Sequence, residues 1–290
     1  MLLDGKVAIV TGAGGGLGRA EAIELAAQGA AVVVNDIGTN VFGQSRAART
    51  PADDVVAQIR TKGGRAVANY GDVANSGQAR QLIEQAIDQF GGLDILVNNA
   101  GILRKGPLLD LEETDLDDLL NVHVKGTALP LQYAGRYWRN EAQAARKREA
   151  TVINTSSRAG LAPRVPQIAW YGAAKGAIAI LTLSAALELR EFGIRVNAIA
   201  PHSFTRQDAA AAGVEYDPAK NQAIGPDRVA PVVAWLSSAA SAPLNGQIFW
   251  VEGGTISHYE KWEVGKTIDR EGTWSAAEIG PALRAVGFSF

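Results

Sequence analysis

The sequence predicts a doubly wound α/β protein, a parallel sheet with helices on both faces, and three observations carry that prediction. Seven short, β-rich apolar runs, at 7–11, 31–35, 66–69, 95–98, 151–154, 195–199 and 248–251, alternate with longer amphipathic segments. Runs such as Ala31-Val32-Val33-Val34 are apolar without alternation, which fits strands buried on both faces. No linker interrupts the series, so residues 1–254 are expected to form one domain, with 255–290 as a C-terminal extension.

Composition narrows the chemistry. Of 290 residues, 47% are apolar and 20% charged, enough for a sizeable core. Lys and Arg number 28 against 30 Asp and Glu, and a net charge of -2 gives no footprint for nucleic acid. The absence of cysteine excludes disulfides and thiolate ligands, and His123, His202 and His258 are too few for a His-rich metal site, so no metal is expected. Asp4 and Lys6 sit where a secretory signal needs an apolar core. The longest apolar stretch, 176–187, is too short to cross ~30 Å of hydrocarbon as a helix. The expectation is a cytoplasmic protein without a membrane partner.

The first strand runs into Thr11-Gly12-Ala13-Gly14-Gly15-Gly16-Leu17-Gly18 and then a helix at 19–28. Glycines there let a backbone approach a pyrophosphate, and the helix amides meet its charge, so Gly12, Gly14, Gly16, Leu17 and Gly18 are candidate dinucleotide contacts. The second strand ends at Asn35-Asp36. A carboxylate at this place accepts from both adenosine ribose hydroxyls and repels a 2′-phosphate, which favours NAD over NADP. Arg46 and Arg49 follow in a segment outside the strand-helix rhythm, from which a guanidinium brought back would favour the phosphate instead. Asp72-Val73 follows the third strand, where a side-chain acceptor can meet the adenine amino group. Asn98-Asn99-Ala100-Gly101 closes the fourth strand, and the charged stretch 139–149 fits a solvated helix end.

The fifth strand delivers Thr155-Ser156-Ser157 at its carboxyl end, the side of an α/β sheet where ligands bind. A hydroxyl there can stabilise charge growing on a carbonyl oxygen during hydride transfer. Tyr171 and Lys175 stand four apart at the start of a long helical pattern, which stacks them on one face. A free phenol, with a pKa near ~10, is a poor base at neutral pH, and a neighbouring ammonium lowers that value.

Taken in order, these motifs resemble the short-chain dehydrogenase/reductase family over residues 4–254. The matching pieces are Thr11-Gly12-xxx-Gly16-x-Gly18, Asp72-Val73, Asn98-Asn99-Ala100-Gly101, Asn121 in Asn121-Val122-His123-Val124-Lys125-Gly126, Ser156-Ser157 and Tyr171-xxx-Lys175. The resemblance implies a single Rossmann-type domain with a seven-stranded parallel sheet. It further implies that Tyr171 is the general acid/base, that Lys175 lowers its pKa and holds the nicotinamide ribose, that Ser157 polarises the carbonyl and that Asn121 supports a proton-relaying water. Asp36, Asp72, Val73, Asn98, Ala100, Gly101 and Pro201 fall among the implied cofactor residues.

Two departures accompany the match. Ser157 lies 14 residues before Tyr171, one more than the family's usual spacing, and Ser157-Arg158-Ala159-Gly160 keeps the register expected after the serine. Pro201-His202-Ser203-Phe204-Thr205-Arg206 lacks the family's glycine and places its threonine one position early. Val34-Asn35-Asp36-Ile37-Gly38, residues 63–70 and Val229-Ala230-Pro231 resemble, more narrowly, the (3R)-hydroxyacyl-CoA dehydrogenase unit of multifunctional enzyme type 2 and its bacterial relatives, some acting on steroids.

Residues 202–226 are expected to form a substrate lid, with Phe204 and Tyr216 lining an apolar pocket. The helix carrying Tyr171 is apolar nearly all round, and the resemblance implies that its outer face joins a homodimer or homotetramer. Trp262, Trp274, Ile279 and Phe288 give the tail enough apolar area to dock on the body or on a neighbouring subunit. Two functional classes follow. One is an oxidoreductase exchanging hydride between NAD and a small-molecule secondary alcohol or ketone, either a 3-hydroxyacyl thioester or a steroid or other alicyclic alcohol. The other is a dinucleotide-binding sensor without chemistry, which has no mechanistic need for Asn121, Ser157, Tyr171 and Lys175 together.

Overall fold

Valine- and alanine-rich runs become strands here because both of their faces are covered. In the computed structural model, which describes residues 1–40, 42–43, 51–146, 148–205, 208–209, 213–217, 222–260 and 262–288, β1 is Val7–Thr11. Its Ala8 and Val10 join one core cluster, and Val7 and Ile9 the cluster on the opposite face. Each fully buried valine or isoleucine contributes about 1.5–3 kcal/mol, so a continuous apolar strand repays its burial on both sides. Arg46, Arg49, Arg206 and Pro218 lie outside the described residues.

The other strands are β2 (Ala31–Asn35), β3 (Arg65–Asn69), β4 (Ile95–Asn98), β5 (Ala150–Thr155), β6 (Ile194–His202), β7 (Ile248–Glu252) and β8 (Thr255–His258). Their order is β3-β2-β1-β4-β5-β6-β7-β8. β1 pairs in parallel with β2 and with β4, so the order reverses between β1 and β4, the crevice position where open α/β sheets take ligands. The seven expected strands are all present and parallel, and the sheet gains an eighth, β8, antiparallel to β7. Gly253 takes φ +54 in the turn between them, and a side chain there would meet the Ala223 carbonyl. That turn folds 255–258 back onto the sheet, and the larger unit of the chain is Met1–Tyr259.

Helices α1 (Gly16–Ala27), α2 (Pro51–Thr61) and α8 (Ala230–Leu236) cover one face of the sheet, and α3 (Ser76–Phe90), α5 (Gly126–Gln143) and α7 (Ala169–Glu188) cover the other. Two short helices, α4 (Glu113–Leu119) and α6 (Arg158–Leu161), stand near the strand ends, and α4 passes through a π-helical turn, Leu120–Lys125, into α5. α7 corrects the expectation drawn from 176–187: at 20 residues it is long and apolar enough, by composition alone, to cross a membrane. Its buried residues, Ala174, Lys175, Ile178, Ala179 and Thr182 among them, pack it on β5 and β6 as a core helix. Within 139–149 most described side chains are exposed, but Arg148 turns in, pairing with the buried Asp94 at 3.2 Å.

Residues 260–290 form a separate unit. It contains α9 (Ala276–Ala285), which starts with a capping box between Ser275 and Glu278, and Arg270 pairs with Glu278 at 2.8 Å.

Candidate active site

The turn between β1 and α1 is tied to the end of β4 by a small set of bonds. Thr11 Oγ1 accepts from the amides of Asn99 (3.0 Å) and Ala100 (3.1 Å), and Asn99 Nδ2 donates to the carbonyls of Thr11 (2.9 Å) and Gly12 (3.2 Å). This clamp is so close that side chains are excluded. A Cβ on Gly12 would lie 2.7 Å from Ala100 Cα, and one on Gly18 would collide with Asn99 Nδ2 and the Gly12 carbonyl. The turn therefore presents bare backbone at the N-terminus of α1, the chemistry a diphosphate needs.

Asp36, at the end of β2, accepts from the Gly14 amide at 2.8 Å through Oδ2 and from the Gly38 amide at 2.7 Å through Oδ1. A carboxylate has about four acceptor positions, so these bonds fix its orientation and leave capacity for ribose hydroxyls. Asp72 Oδ1 accepts from the Ala74 amide at 2.8 Å, which makes Asp72-Val73 a side-chain-capped turn on the cleft wall.

At the other strand ends, glycines bring α6 against α7. A Cβ on Gly160 would collide with Gly176 N and lie 2.9 Å from the Gly172 carbonyl. That contact sets Ser157, the N-cap of α6, beside Tyr171, and the serine side chain hydrogen-bonds the phenol. The adjacent serines separate cleanly: Ser156 Oγ donates to the Lys175 carbonyl at 2.9 Å and serves packing, while Ser157 faces the phenol. Lys175, 4% exposed, donates from Nζ to the Thr155 carbonyl at 2.7 Å, and Nζ stands 5.8 Å from the centre of the Tyr171 ring.

A cleft of about 1280 Å³ joins these parts along the carboxyl ends of the strands. Gly12, Gly16, Leu17, Asp36, Asp72, Val73, Ala100 and Gly101 line it, as do Asn121, Ser157, Tyr171, Lys175 and Pro201. Gly14, Gly18 and Asn98 do not. Gly14 holds Asp36, and Gly18 packs under the turn. Asn98 donates to Asn154 Oδ1 at 3.0 Å, and Asn154 donates to Thr182 Oγ1 at 3.0 Å, so the side chain of Asn98 is spent joining β4, β5 and α7. Phe204 and Tyr216 stack on each other at 6.1 Å, removing apolar area from water by mutual cover, and neither lines the cleft. His202 Nδ1 stands 2.8 Å from Glu252 Oε1 on β7, and Thr205 donates to Asp208.

Electrostatics in this region departs from ordinary values. Desolvation pushes the Tyr171 phenol up to about 12, opposed by the Ser157 hydrogen bond and reinforced by Asp208. Lys175 is not among the groups that move the phenol, and burial pushes Lys175 itself down to about 7, with Glu21 opposing. Two further groups escaped the sequence analysis. His123, in the π-helical turn and 1% exposed, meets the Tyr171 ring edge-on at 5.4 Å. Its Nε2 lies 2.8 Å from the Ile102 carbonyl and 3.3 Å from the Ile102 amide, and Nδ1 is buried without a partner. Burial and then Lys175 hold its pKa well below the usual histidine range. Asn121, two residues earlier, is exposed on the cleft, since the wider turn rotates His123 inward in its place. The second is Glu21 on α1, 0% exposed. Its signal was a carboxylate three residues after Gly18 and four before Leu25, on the face those residues bury.

A doubly wound sheet, a bare-backbone turn at its switch point and a hydroxyl, phenol and ammonium converging at the strand ends define a dinucleotide-dependent oxidoreductase. The chain belongs to the short-chain dehydrogenase family, whose profile matches residues 6–212. Members bind a nicotinamide dinucleotide, and this chain is an enzyme acting on CH–OH groups. It is 39% identical to hydroxyacyl-CoA dehydrogenase ChsB1 of Mycobacterium tuberculosis over 97% of this chain and 88% of that one. It is 38% identical to mouse peroxisomal multifunctional enzyme type 2 over 90% of this chain, which spans 33% of that longer protein. A short-chain dehydrogenase structure from Mycobacterium avium superposes with a TM-score of 0.88 at 42% identity, covering 99% of this chain and 95% of that one. One from Burkholderia cenocepacia, in complex with NADP, gives 0.74 at 32% identity, covering 88% and 99%.

Proposed function

We propose that the enzyme is an NAD(H)-dependent dehydrogenase of 3-hydroxyacyl thioesters. The observation that carries the chemistry is the convergence of Ser157, Tyr171 and Lys175 on one cleft with the glycine turn. The substrate class is supported by the likeness to hydroxyacyl-CoA dehydrogenase ChsB1 across nearly the whole of both chains. Lys105, Arg158 and Arg164 on the cleft wall suit a substrate whose carrier bears phosphates.

The residues divide the work as follows. A nicotinamide held in this cleft would supply the hydride acceptor or donor. The Ser157 hydroxyl holds the substrate oxygen, Tyr171 takes the hydroxyl proton during oxidation and returns it during reduction, and Lys175 holds the nicotinamide ribose and supports the phenolate. Asn121 lines the same cleft, where its amide can order a water beside Lys175. Gly12, Gly16, Leu17, Ala100 and Gly101 shape the dinucleotide path, and Pro201 closes it beyond the catalytic end. The preference for NAD rests on Asp36, held by Gly14 and Gly38 where a 2′-phosphate would be repelled.

The same reading places the protein in the cytoplasm as a homodimer or homotetramer. α7 supports the assembly by leaving Ile180 48% and Leu187 76% exposed on an apolar face. Concentration-independent sedimentation as a monomer would remove the oligomer.

The deciding assay measures NAD- and NADP-dependent turnover of (3R)-hydroxyacyl-CoA chains and steroid alcohols. Turnover of the thioesters with NAD favoured is expected. Turnover confined to steroid alcohols would replace the substrate, comparable efficiency with NADP would reject the cofactor preference, and nucleotide binding without turnover would make the chain a sensor.

A further inference from the structure

Two features are unused by the reaction above: the segment between Ser157 and Tyr171, one residue longer than the family's usual spacing, and the edge strand β8. They meet at a second cavity of about 170 Å³. Arg158 and Arg164 line it from the longer segment, and Trp250 of β7, Ser257 and His258 of β8 and the following Tyr259 complete its wall. Both arginines also line the catalytic cleft, so they stand where the two spaces adjoin. Arg158 begins α6 directly after Ser157, which ties this place to the catalytic hydroxyl through one peptide bond.

The positive charge here is unopposed. The Arg158 guanidinium lies over the Trp250 ring, 5.5 Å from its centre, a stack that holds the planar group while leaving its five N–H donors unused. Among the described residues neither Arg158 nor Arg164 has a carboxylate or a hydrogen-bond acceptor for its side chain, and no carboxylate lines the second cavity. The acidic residues of the cleft are engaged elsewhere. Asp36 and Asp72 hold backbone amides, Asp118 pairs with Arg104 at 2.6 Å, and Asp208 accepts from Thr205. Arg158 is partly buried, so its charge is drawn from water with no anion to oppose it. A guanidinium in that state binds anions with several acceptor oxygens, and a phosphate meets it with two parallel N–H bonds.

We propose that Arg158 and Arg164 form an anion subsite for the substrate: a phosphate of the thioester's carrier lies between the two guanidinium groups at the second cavity, while the acyl end reaches Ser157 and Tyr171. The proposal rests on the thioester reading of the cleft, and it deepens that reading by naming where the carrier is held. The size of the cavity narrows the group. A water takes about 30 Å³ of liquid volume, so the space equals that of about five waters, which admits a phosphate and excludes a dinucleotide. The cofactor's own diphosphate belongs at the glycine turn, so the phosphate at Arg158 and Arg164 is the substrate's.

Paired substrates test this on the full chain. The ratio of kcat/KM for a 3-hydroxyacyl-CoA to that for the same acyl group on pantetheine, which lacks every phosphate, cancels damage common to both. That ratio should fall by about tenfold in Arg164→Gln, whose side chain is exposed, and further when Arg158→Gln is added, through KM rather than kcat. A ratio unchanged in both variants would overturn the proposal. The phosphopantetheine thioester separates the two sources of phosphate: sensitivity to the variants kept with it assigns the subsite to the pantetheine phosphate, and sensitivity seen only with the CoA thioester assigns it to the nucleotide phosphates. A second measurement needs no turnover. With NAD saturating, so that the glycine turn is filled, calorimetry of coenzyme A should show a Kd about tenfold weaker in Arg164→Gln than in wild type. Coenzyme A that binds both proteins equally, or neither, would overturn the subsite even while thioesters are turned over. Arginine-dependent binding of coenzyme A without turnover of any thioester would keep the subsite and remove the thioester dehydrogenase reading.

Discussion

The two ends of the cleft are built on opposite rules. Around the glycine turn the polar groups are satisfied: Thr11 Oγ1, Asn99 Nδ2 and both oxygens of Asp36 have backbone partners. Around Tyr171 they are not. His123 Nδ1 and Thr155 Oγ1 are buried without partners, and the ionisable groups Tyr171, Lys175 and His123 are all displaced from their ordinary values. Saturated hydrogen bonding fixes a shape, which is what binding a rigid diphosphate asks of a turn. Incomplete satisfaction in a dry region leaves protonation finely balanced, which is what proton transfer asks of an active site.

The largest test of that contrast removes one oxygen from the unsatisfied end. Tyr171→Phe keeps the ring that packs against His123 and deletes the proposed acid/base atom. Turnover should fall by about 10³-fold, the scale of positioned proton transfer, while cofactor affinity, set largely at the glycine turn, stays within a few-fold by fluorescence titration. Retained turnover would break the division of labour between the ends.

The same contrast explains what the sequence discloses. Strand periodicity marked β1, β2 and β4 to the residue, because burial on both faces leaves a continuous apolar run. The glycine turn was legible because its backbone geometry tolerates no side chain at Gly12 or Gly18. β8 was hidden, since Thr255-Ile256-Ser257-His258 is a mostly exposed edge strand whose pairing depends on the Gly253 turn. His123 was missed because a π-helical turn shifts which residue faces inward, and α-helical spacing cannot register that extra residue. Asn98, a cofactor residue by the resemblance, has its side chain turned by strand alternation toward Asn154 and α7, which the motif alone does not disclose.

A smaller effect is expected at the satisfied end. Asp36→Asn keeps an acceptor for one glycine amide and removes the charge that would meet a 2′-phosphate. Hydrogen bonds to a charged group contribute about 1.5–3 kcal/mol, so the proposed preference for NAD over NADP should narrow by roughly tenfold or more in kcat/KM, with kcat for the better cofactor nearly unchanged. A collapse of kcat instead would show that the two ends are coupled more tightly than their separate hydrogen-bond networks imply.

The smallest effect is read in stability, and its sign is fixed by the direction of each displacement. Glu21 has a folded value of about 8, above its ordinary 4.5, so the folded chain keeps a proton that the unfolded chain releases. The stability this group provides is complete below about pH 4.5 and is lost as pH rises through 8. Lys175 works the other way: with a folded value of about 7 against 10.5, the unfolded chain holds the extra proton, and stability rises from pH 7 to 10.5. Glu21→Gln removes the falling slope and, because Glu21 raises Lys175, lets the rising one begin at lower pH. The unfolding free energy of the variant relative to wild type should therefore climb between about pH 5 and pH 8, with Glu21 itself contributing no more than the ~1.4 kcal/mol per pH unit that one whole proton allows. Urea titrations across that range measure the slope. A difference that stays constant with pH would mean that Glu21 is ionised throughout, a permanent buried charge on α1 instead of a titrating one.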